Sequence, residues 1–471
     1  MTARTAGTPR TARTARTART ASAARGPRPA PPLTRSRAAR LPTVADRTLD
    51  NGLRVLAVRR PGVPLVELRL RVPFAGPSGR RAEAHSAQAT LLADTLLSGT
   101  TSRDAAQLAQ DVQALGGQLN ATTDADRFGL GGSVLASGLP GLLDLVNELL
   151  TEAAYPKGDV LAERDRLVQE LAIYRSQPGV VAREALLHRM YGRHPYGHDL
   201  PEADAVRQVK PAQLRELHAR RIAPAGSLLV LVGDLSPARA IGQVEQALAG
   251  WQTPAPTTST PPLPEVVPGP ALLVDRPGAV QTTLRMSRPA PSRSDEGYAA
   301  TVLANLVFGG YFSSRWVANI REDKGYTYSP HSVLEHPPAG SRLLVSADVA
   351  TAVTAASVVE TWHELGRVAS VAVGQDELDQ ARRYAVGALA LSTSSQAGLA
   401  STVSLLAGAG LGVEWLHDHP RALAAVGVED VLEAGRRHLG PTGFTAVLVG
   451  DADQVADSVR AVVPLETAAP R

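Results

Sequence analysis

The chain has 471 residues, enough for two to four domains, and its hydrophobic fraction of 44% and charged fraction of 20% suit a folded soluble body. It contains no cysteine, which excludes disulfides, thiolate metal sites and cysteine nucleophiles, and no apolar run reaches the ~18 residues that a membrane span needs. The net charge of +4 misleads: residues 1–40 hold ten arginines and no acid, so the chain from Leu41 on carries 39 basic against 45 acidic residues, which argues against a nucleic-acid partner.

Residues 1–40 repeat Thr-Ala-Arg and then turn proline-rich, with almost no large apolar side chain to bury, so a disordered tail is expected there. The tail shares the arginine-rich, acid-poor composition of a mitochondrial transit peptide but lacks its amphipathic pattern. The folded body starts near Thr43. TLDNGLRVLAVRRPG reads as a strand with an Asn-Gly turn, and Val66, Leu68, Leu70 and Val72 alternate as a half-buried strand. Helical patterns follow over 82–97, ended by Gly99, and over 104–115, ended by Gly116-Gly117. QLNATTDADRFGLGGSVL reads as a strand pair, LPGLLDLVNELLTEAAY and GDVLAERDRLVQELAIYRS as amphipathic helices, and HPYGHDLP as a turn-rich loop. PAQLRELHARRIA is a helix, and GSLLVLVGDLS is a buried strand leading into another helix. Residues 252–270 are Pro/Thr-rich without helical period, which marks a linker.

The stretch from Asn305 to Pro330 reads as helix, glycine turn at Gly309-Gly310, helix from Phe312 to Glu322, and a loop entering a strand. Trp316, Val317 and Ile320 have helical spacing, Lys324-Gly325 is a stop signal, and Tyr326 and Tyr328 share a face of the extended piece. Arg321 and Tyr328 therefore converge across the turn. A guanidinium and a phenol at one spot suit a peptide carbonyl or a developing oxyanion; an exposed Arg beside a half-buried Tyr is the plainer alternative.

The halves on either side of the linker match. Arg60-Pro61-Gly62 recurs as Arg276-Pro277-Gly278, and LLVLVGD ending at Asp234 recurs as TAVLVGD ending at Asp451, at nearly one offset. The expected architecture is α+β: two homologous domains, 41–251 and 271–471, each a mainly antiparallel sheet packed by helices.

LDNGLRVL, GGQLNATTDADRF, ERDRLVQEL, HPYGH, the linker and GGYFSSRWVANIREDKGYTYS together resemble the insulinase/pitrilysin family of zinc peptidases, of the two-domain type related to the mitochondrial processing peptidase. The resemblance spans residues 43–465 and implies that Arg321 and Tyr328 hold substrate backbone. It also implies that Asn120, Ala121 and Thr122 lie on an exposed sheet edge to which a peptide adds as a strand; an ordinary internal strand is the alternative.

The family's His-x-x-Glu-His motif is absent. Its positions, counted back from Gly99-Thr100, fall on Thr90, Ala93 and Asp94, and the downstream acids match Glu163 and Glu170. Without two histidines four residues apart there is no nitrogen-rich zinc site, so no metal is expected on this chain. His85 has no Glu-His partner, His188, His194 and His198 belong to or adjoin the HPYGH turn, and His331 and His336 have no assigned role. The resemblance thus implies a non-catalytic, substrate-binding subunit of a heterodimeric zinc peptidase that acts on unfolded peptides or leader segments. The zinc would come from a homologous partner chain, in a bacterial cytoplasm or, alternatively, a mitochondrion. A purely structural or peptide-binding protein of the same fold is the competing expectation.

Overall fold

The computed structural model describes residues 42–254 and 260–469, and these described residues form one compact unit. The expectation for residues 1–40 lies outside the described residues. In the N-terminal half the order is β1 (Val44–Thr48), β2 (Arg54–Arg59), β3 (Leu65–Pro73), α1 (Arg80–Thr95), α2 (Ala105–Ala114), β4 (Gln118–Thr123), β5 (Arg127–Leu135), α3 (Leu139–Glu152), α4 (Lys157–Arg175), α5 (Pro178–Tyr191), α6 (Ala203–Arg207), α7 (Pro211–Arg221), β6 (Leu228–Gly233) and α8 (Pro237–Ala247). The C-terminal half runs β7 (Ala271–Asp275), β8 (Gln281–Ala290), α9 (Tyr298–Asn305), α10 (Arg315–Val317), β9 (His331–Glu335), β10 (Ser341–Ala350), α11 (Thr354–Ser370), α12 (Gln375–Ser392), α13 (Gln396–Gly408), α14 (Trp415–Ala425), α15 (Val428–His438), β11 (Thr445–Gly450), α16 (Ala452–Arg460) and β12 (Leu465–Ala468).

Local chemistry sets these boundaries. Gly52 takes φ +86° in the turn between β1 and β2, where a Cβ would also lie 2.9 Å from Ala225. Asp104 caps α2 by accepting from the Gln107 amide while the Gln107 side chain accepts from the Asp104 amide. The β3 alternation holds as read, with Val66, Leu68, Leu70 and Val72 all buried.

Each half builds a six-stranded sheet, ordered β1-β2-β6-β3-β5-β4 and β12-β7-β11-β8-β10-β9. Five of the six strands, from β2 to the β4 edge and from β7 to the β9 edge, correspond one to one, most pairs are antiparallel, and the corresponding pairs β2·β6 and β7·β11 are both parallel. The outermost strands differ: β1 runs antiparallel to β2, whereas β12 runs parallel to β7. The fold is α+β, as the sequence leads one to expect. The correspondence reaches single side chains. Arg69 on β3 donates from Nη1 to the carbonyls of Leu68 and Gly132, and Arg285 on β8 donates from Nη1 to those of Leu284 and Ala347.

The halves also trade a helix. α5 leaves the N-terminal half to pack on β8 and β11, and α13 leaves the C-terminal half to pack on β3 and β6. Leu186, Leu187 and Met190 meet Val447 and Val449 in one shared core, while Leu399, Ala400 and Val403 meet Leu56, Val230 and Val232 in the other. Arg71 ties the second contact by donating to the Ser404 carbonyl at 3.0 Å. The HPYGH loop sits at the junction. Tyr196 donates to the buried Asp126 and accepts from the Ala339 amide, and His194 meets the Pro261 carbonyl at 3.0 Å.

Several local expectations need correction. Pro178–Tyr191 carries no single apolar stripe in sequence, yet it is α5; facing both halves, it spreads its apolar residues around its circumference. Gly309-Gly310 is not a tight turn but the end of a π-helical segment, Leu306–Gly310. The expected helix over Phe312–Glu322 is three α residues followed by a second π-helical segment, Ala318–Asp323. Tyr326 and Tyr328 lie in irregular chain, joined to β10 through a Thr327–Val349 bridge and a bond from the Thr327 hydroxyl to the Asp348 carbonyl, and the strand starts at His331.

Candidate functional site

The segment carrying Arg321 is fixed from below. Trp316 and Ile320 are fully buried, and Trp316 stacks on Phe308 at 5.3 Å and donates to the Thr361 hydroxyl at 3.1 Å. Asn319 donates to Glu360 at 3.0 Å and Glu364 at 2.9 Å on α11, and Lys324 pairs with Glu360 at 3.0 Å. Gly325 at φ +65° and the Tyr326 amide, which donates to the Ile320 carbonyl at 2.8 Å, close the turn. A π-helical turn widens the backbone, and such turns are frequent at functional sites.

On this base the Arg321 guanidinium lies 5.1 Å from the Tyr328 ring centroid. The two residues therefore meet, as the spacing implied. Tyr328 is 81% exposed, so it is not half-buried. A third member has no place in the sequence-derived site: Phe312, 60% exposed, has its ring centroid 4.2 Å from the Arg321 guanidinium carbon. In the sequence it is marked only by its place two residues past the glycine pair. Such a stack holds a cation in place while leaving its N–H edge open to an acceptor.

Asn120, Ala121 and Thr122 fall on β4, the outer strand of the N-terminal sheet, so this strand is not internal. Asn120 and Thr122 are exposed and face glycines on β5: a Cβ on Gly131 would sit 2.8 Å from Asn120 Oδ1 and one on Gly129 2.9 Å from Thr122 Oγ1.

At the former metal positions, Thr90 bonds back to the Ser86 carbonyl at 3.0 Å within its own helix, and Ala93 is buried. Glu163 and Glu170 are both engaged by Arg166, at i+3 and i−4 on α4. Bonding to Glu163 raises the arginine's pKa further. Asp94 faces solvent on α1, yet loss of hydration and then the Glu163 charge push its carboxyl up to about 6, with Arg166 pulling the other way. These side chains do not fit a zinc ion. They offer carboxylates without a nitrogen donor, and a guanidinium already supplies the positive charge. Among the described residues no group of three His, Asp or Glu is placed to hold a metal ion. The Glu163-x-x-Arg166-x-x-x-Glu170 spacing carried this in the sequence.

His85, His188, His198 and His336 have structural partners. His85 packs 5.4 Å from Phe74 and bonds its carbonyl, and burial lowers its pKa. His188 and His198 meet edge to face at 6.4 Å. His336 bonds the Ser341 hydroxyl at 2.8 Å, and burial followed by the Arg293 charge lowers its pKa to about 4.

A duplicated α+β fold without a histidine pair on α1 in the first half and with a packed Arg–Tyr pair in the second defines a two-domain, peptidase-like protein. Residues 77–204 match the family model described as insulinase (peptidase family M16), and residues 208–384 match the peptidase M16 inactive domain. The chain belongs to the insulinase family, peptidase family M16. It is 30% identical over 306 residues to an uncharacterized zinc protease of Mycobacterium leprae, covering 64% of this chain and 67% of that one. It is 28% identical over 374 residues to an uncharacterized zinc protease of Mycobacterium tuberculosis, covering 78% and 80%. A crystal structure described as a peptidase M16 inactive domain from Pseudomonas fluorescens superposes with a TM-score of 0.78 at 24% identity, over 87% of this chain and 98% of that one. A protease from Helicobacter pylori gives 0.76 at 18% identity, over 87% and 100%. No helix among the described residues is long and apolar enough to cross a membrane.

Proposed function

We propose that this chain is the non-catalytic, substrate-positioning subunit of a two-chain zinc peptidase acting on unfolded peptides or leader segments in a bacterial cytoplasm. The observation that carries the reading is an asymmetry. Arg166 engages both Glu163 and Glu170, while Tyr328 stands open to solvent beside a half-buried Arg321 whose ion-pair partner, Glu322, lies at 3.4 Å. The chain binds no zinc; a homologous partner with the intact His-x-x-Glu-His supplies the ion that activates water. Arg321 and Tyr328 donate to the scissile carbonyl and to the oxyanion that forms from it. β4 offers backbone groups at Asn120, Ala121 and Thr122 to an extended peptide without demanding a sequence. Positioning and charge stabilisation are separable from water activation, so two chains can divide them.

The test is hydrolysis of a quenched fluorescent, unstructured peptide by the chain alone, by a zinc-bearing homologue alone, and by both, with and without chelator. Chelator-sensitive turnover that needs both chains, and that falls about 10²-fold in Arg321→Ala without change in zinc content, supports the reading. Turnover by this chain alone overturns it. A stable complex in which Arg321→Ala changes nothing points instead to a purely structural subunit.

A further inference from the structure

A cavity of about 300 Å³ lies where the first turns of α5 meet the C-terminal sheet. Arg183 on α5, Arg285 on β8 and Arg342 on β10 line it, with Glu335 on β9 and His331 at the start of that strand. Glu335 is shared: Arg342, almost wholly buried, donates to it at 2.6 Å and Arg183 at 3.4 Å. Two further acids stand outside the lining, Asp199 at 2.8 Å from Arg183 and Asp348 at 3.2 Å from Arg285. The lining itself therefore holds three arginines and one glutamate, with Arg285 making no bond to that glutamate.

The duplication shows how Arg285 differs from its counterpart. Arg69 is paired at 2.9 Å with Glu67, two residues before it on β3, whereas Arg285 has Thr283 at that position. The helix covering Arg69's sheet, α13, is capped by Ser395, which accepts from the Gly398 amide at 3.0 Å; α5 begins after Gln177 without a side-chain cap. Arg285 spends Nη1 on the two carbonyls and Asp348. Its Nη2 makes none of these bonds and lies 3.4 Å from where a Cβ on Gly179 would be, beside the first turn of α5.

The cavity adjoins the Arg–Tyr pair. Asp348, which meets Arg285 through its carboxylate, accepts through its carbonyl from the Thr327 hydroxyl at 2.7 Å, and Tyr328 follows directly. His331 on the cavity wall is three residues from Tyr328, no more than about 10 Å of extended chain. A planar guanidinium fork matches a carboxylate or a phosphate, and a neutral ligand gains nothing from it.

We propose that this cavity binds a single oxyanion group, and that on a peptide the group is the free C-terminal carboxylate. A chain anchored there presents a carbonyl to Arg321 and Tyr328 about three residues before its end, so short peptides with a free C-terminus are the favoured substrate class. This deepens the substrate-positioning reading and rests on it for where the peptide lies, but not for binding of the anion.

The experiment needs this chain alone. Binding of an N-terminally labelled, unstructured decapeptide is measured by fluorescence anisotropy, as free acid and as C-terminal amide, and inorganic phosphate is titrated separately by calorimetry. The variants are Arg285→Gln, Arg183→Gln and Arg321→Ala, each checked for an unchanged melting temperature. The acid is expected to bind about tenfold more tightly than the amide, a preference lost in Arg285→Gln and reduced in Arg183→Gln, with affinity for the amide unchanged. Arg321→Ala weakens acid and amide alike, and so reports on the clamp separately. Equal affinity for acid and amide, with phosphate binding that Arg285→Gln removes, keeps the oxyanion site and makes free phosphate its source. Equal affinity with no phosphate binding overturns the proposal, whatever Arg321→Ala does.

Discussion

Arg321 lies closer to Phe312 than to Tyr328: its guanidinium carbon is 4.2 Å from the first ring centroid and 5.1 Å from the second. Two exposed rings thus contact one cation whose side chain keeps 25% of its surface. An arginine packed against two rings loses little orientational freedom when it meets a carbonyl, which is how a stacked guanidinium differs from a mobile one.

Phe312→Ala should therefore lower turnover of the two-chain enzyme by about two- to fivefold, the range expected when an exposed cation–π contact of ~0.5–1 kcal/mol is lost. The loss should fall on kcat more than on KM, and the melting temperature should not move, because Phe312 is exposed. Phe312→Tyr should restore the rate. Steady-state kinetics of the three proteins decide it: an unchanged Phe312→Ala rate beside a crippled Arg321→Ala would show that Tyr328 alone orients the arginine.

The former metal position carries a pH signature. The Asp94 carboxyl sits at about 6 against an ordinary 3.8, raised by lost hydration and by Glu163. Folding therefore favours its protonated form. Its full contribution to stability is present below pH 4 and is lost as the pH climbs through 6. Asp94→Asn should raise the melting temperature at pH 7.5 and leave it unchanged at pH 4, by a modest amount because the side chain keeps solvent contact. A thermal-melt series from pH 4 to 8 on both proteins checks the sign; stabilisation only at low pH would refute the coupling to Glu163.

The parts of this molecule legible in the sequence were those written locally or written twice. Arg60-Pro61-Gly62 and Arg276-Pro277-Gly278, with the two Val-Gly-Asp strand ends, disclosed the duplicated sheet because each copy needs the same turn. Arg321 and Tyr328 were legible because a seven-residue separation across one turn leaves few geometries. The traded helices were not legible: α5 and α13 pack on the opposite half, and no local pattern names a distant partner. Nor were the π-helical segments, whose extra residue per turn depends on packing of Trp316 and Phe308 beneath them. The cavity at Arg285 escaped for the same reason, since Arg183 reaches it only through α5.

The helix trade has a consequence for folding. Val447 and Val449 at the centre of the C-terminal sheet are covered by Leu186 and Leu187 of the other half, and Val230 and Val232 by Leu399 and Val403. Each half made alone would expose one apolar sheet face and one apolar helix. Residues 41–251 or 271–471 expressed singly should be insoluble, and the two co-expressed as separate chains should co-purify as a 1:1 complex. Soluble, monomeric halves with cooperative melting transitions would show that the shared cores are dispensable.

Gly309 links core packing to the clamp. It ends the first π-helical segment, where a Cβ would lie 2.9 Å from Trp316 Cε3 and 2.9 Å from Ser332 Oγ. Trp316 is the floor of the segment that carries Arg321, and Ser332, which donates to Asn305 Oδ1 at 2.6 Å, belongs to the strand after Tyr328. Neither can yield freely: the indole is wedged between Phe308 and Thr361, and the serine is buried. Gly309→Ala should cost about 1–3 kcal/mol of stability through overpacking. It should also shift Arg321 relative to Tyr328, so that turnover of the two-chain enzyme falls at a temperature where the variant is still fully folded. Denaturant melts paired with activity at 20 °C separate these effects. A variant that loses stability but keeps its rate would mean that the π-helical end only packs the core, and that Arg321 is placed by Asn319 and Lys324 on α11 instead.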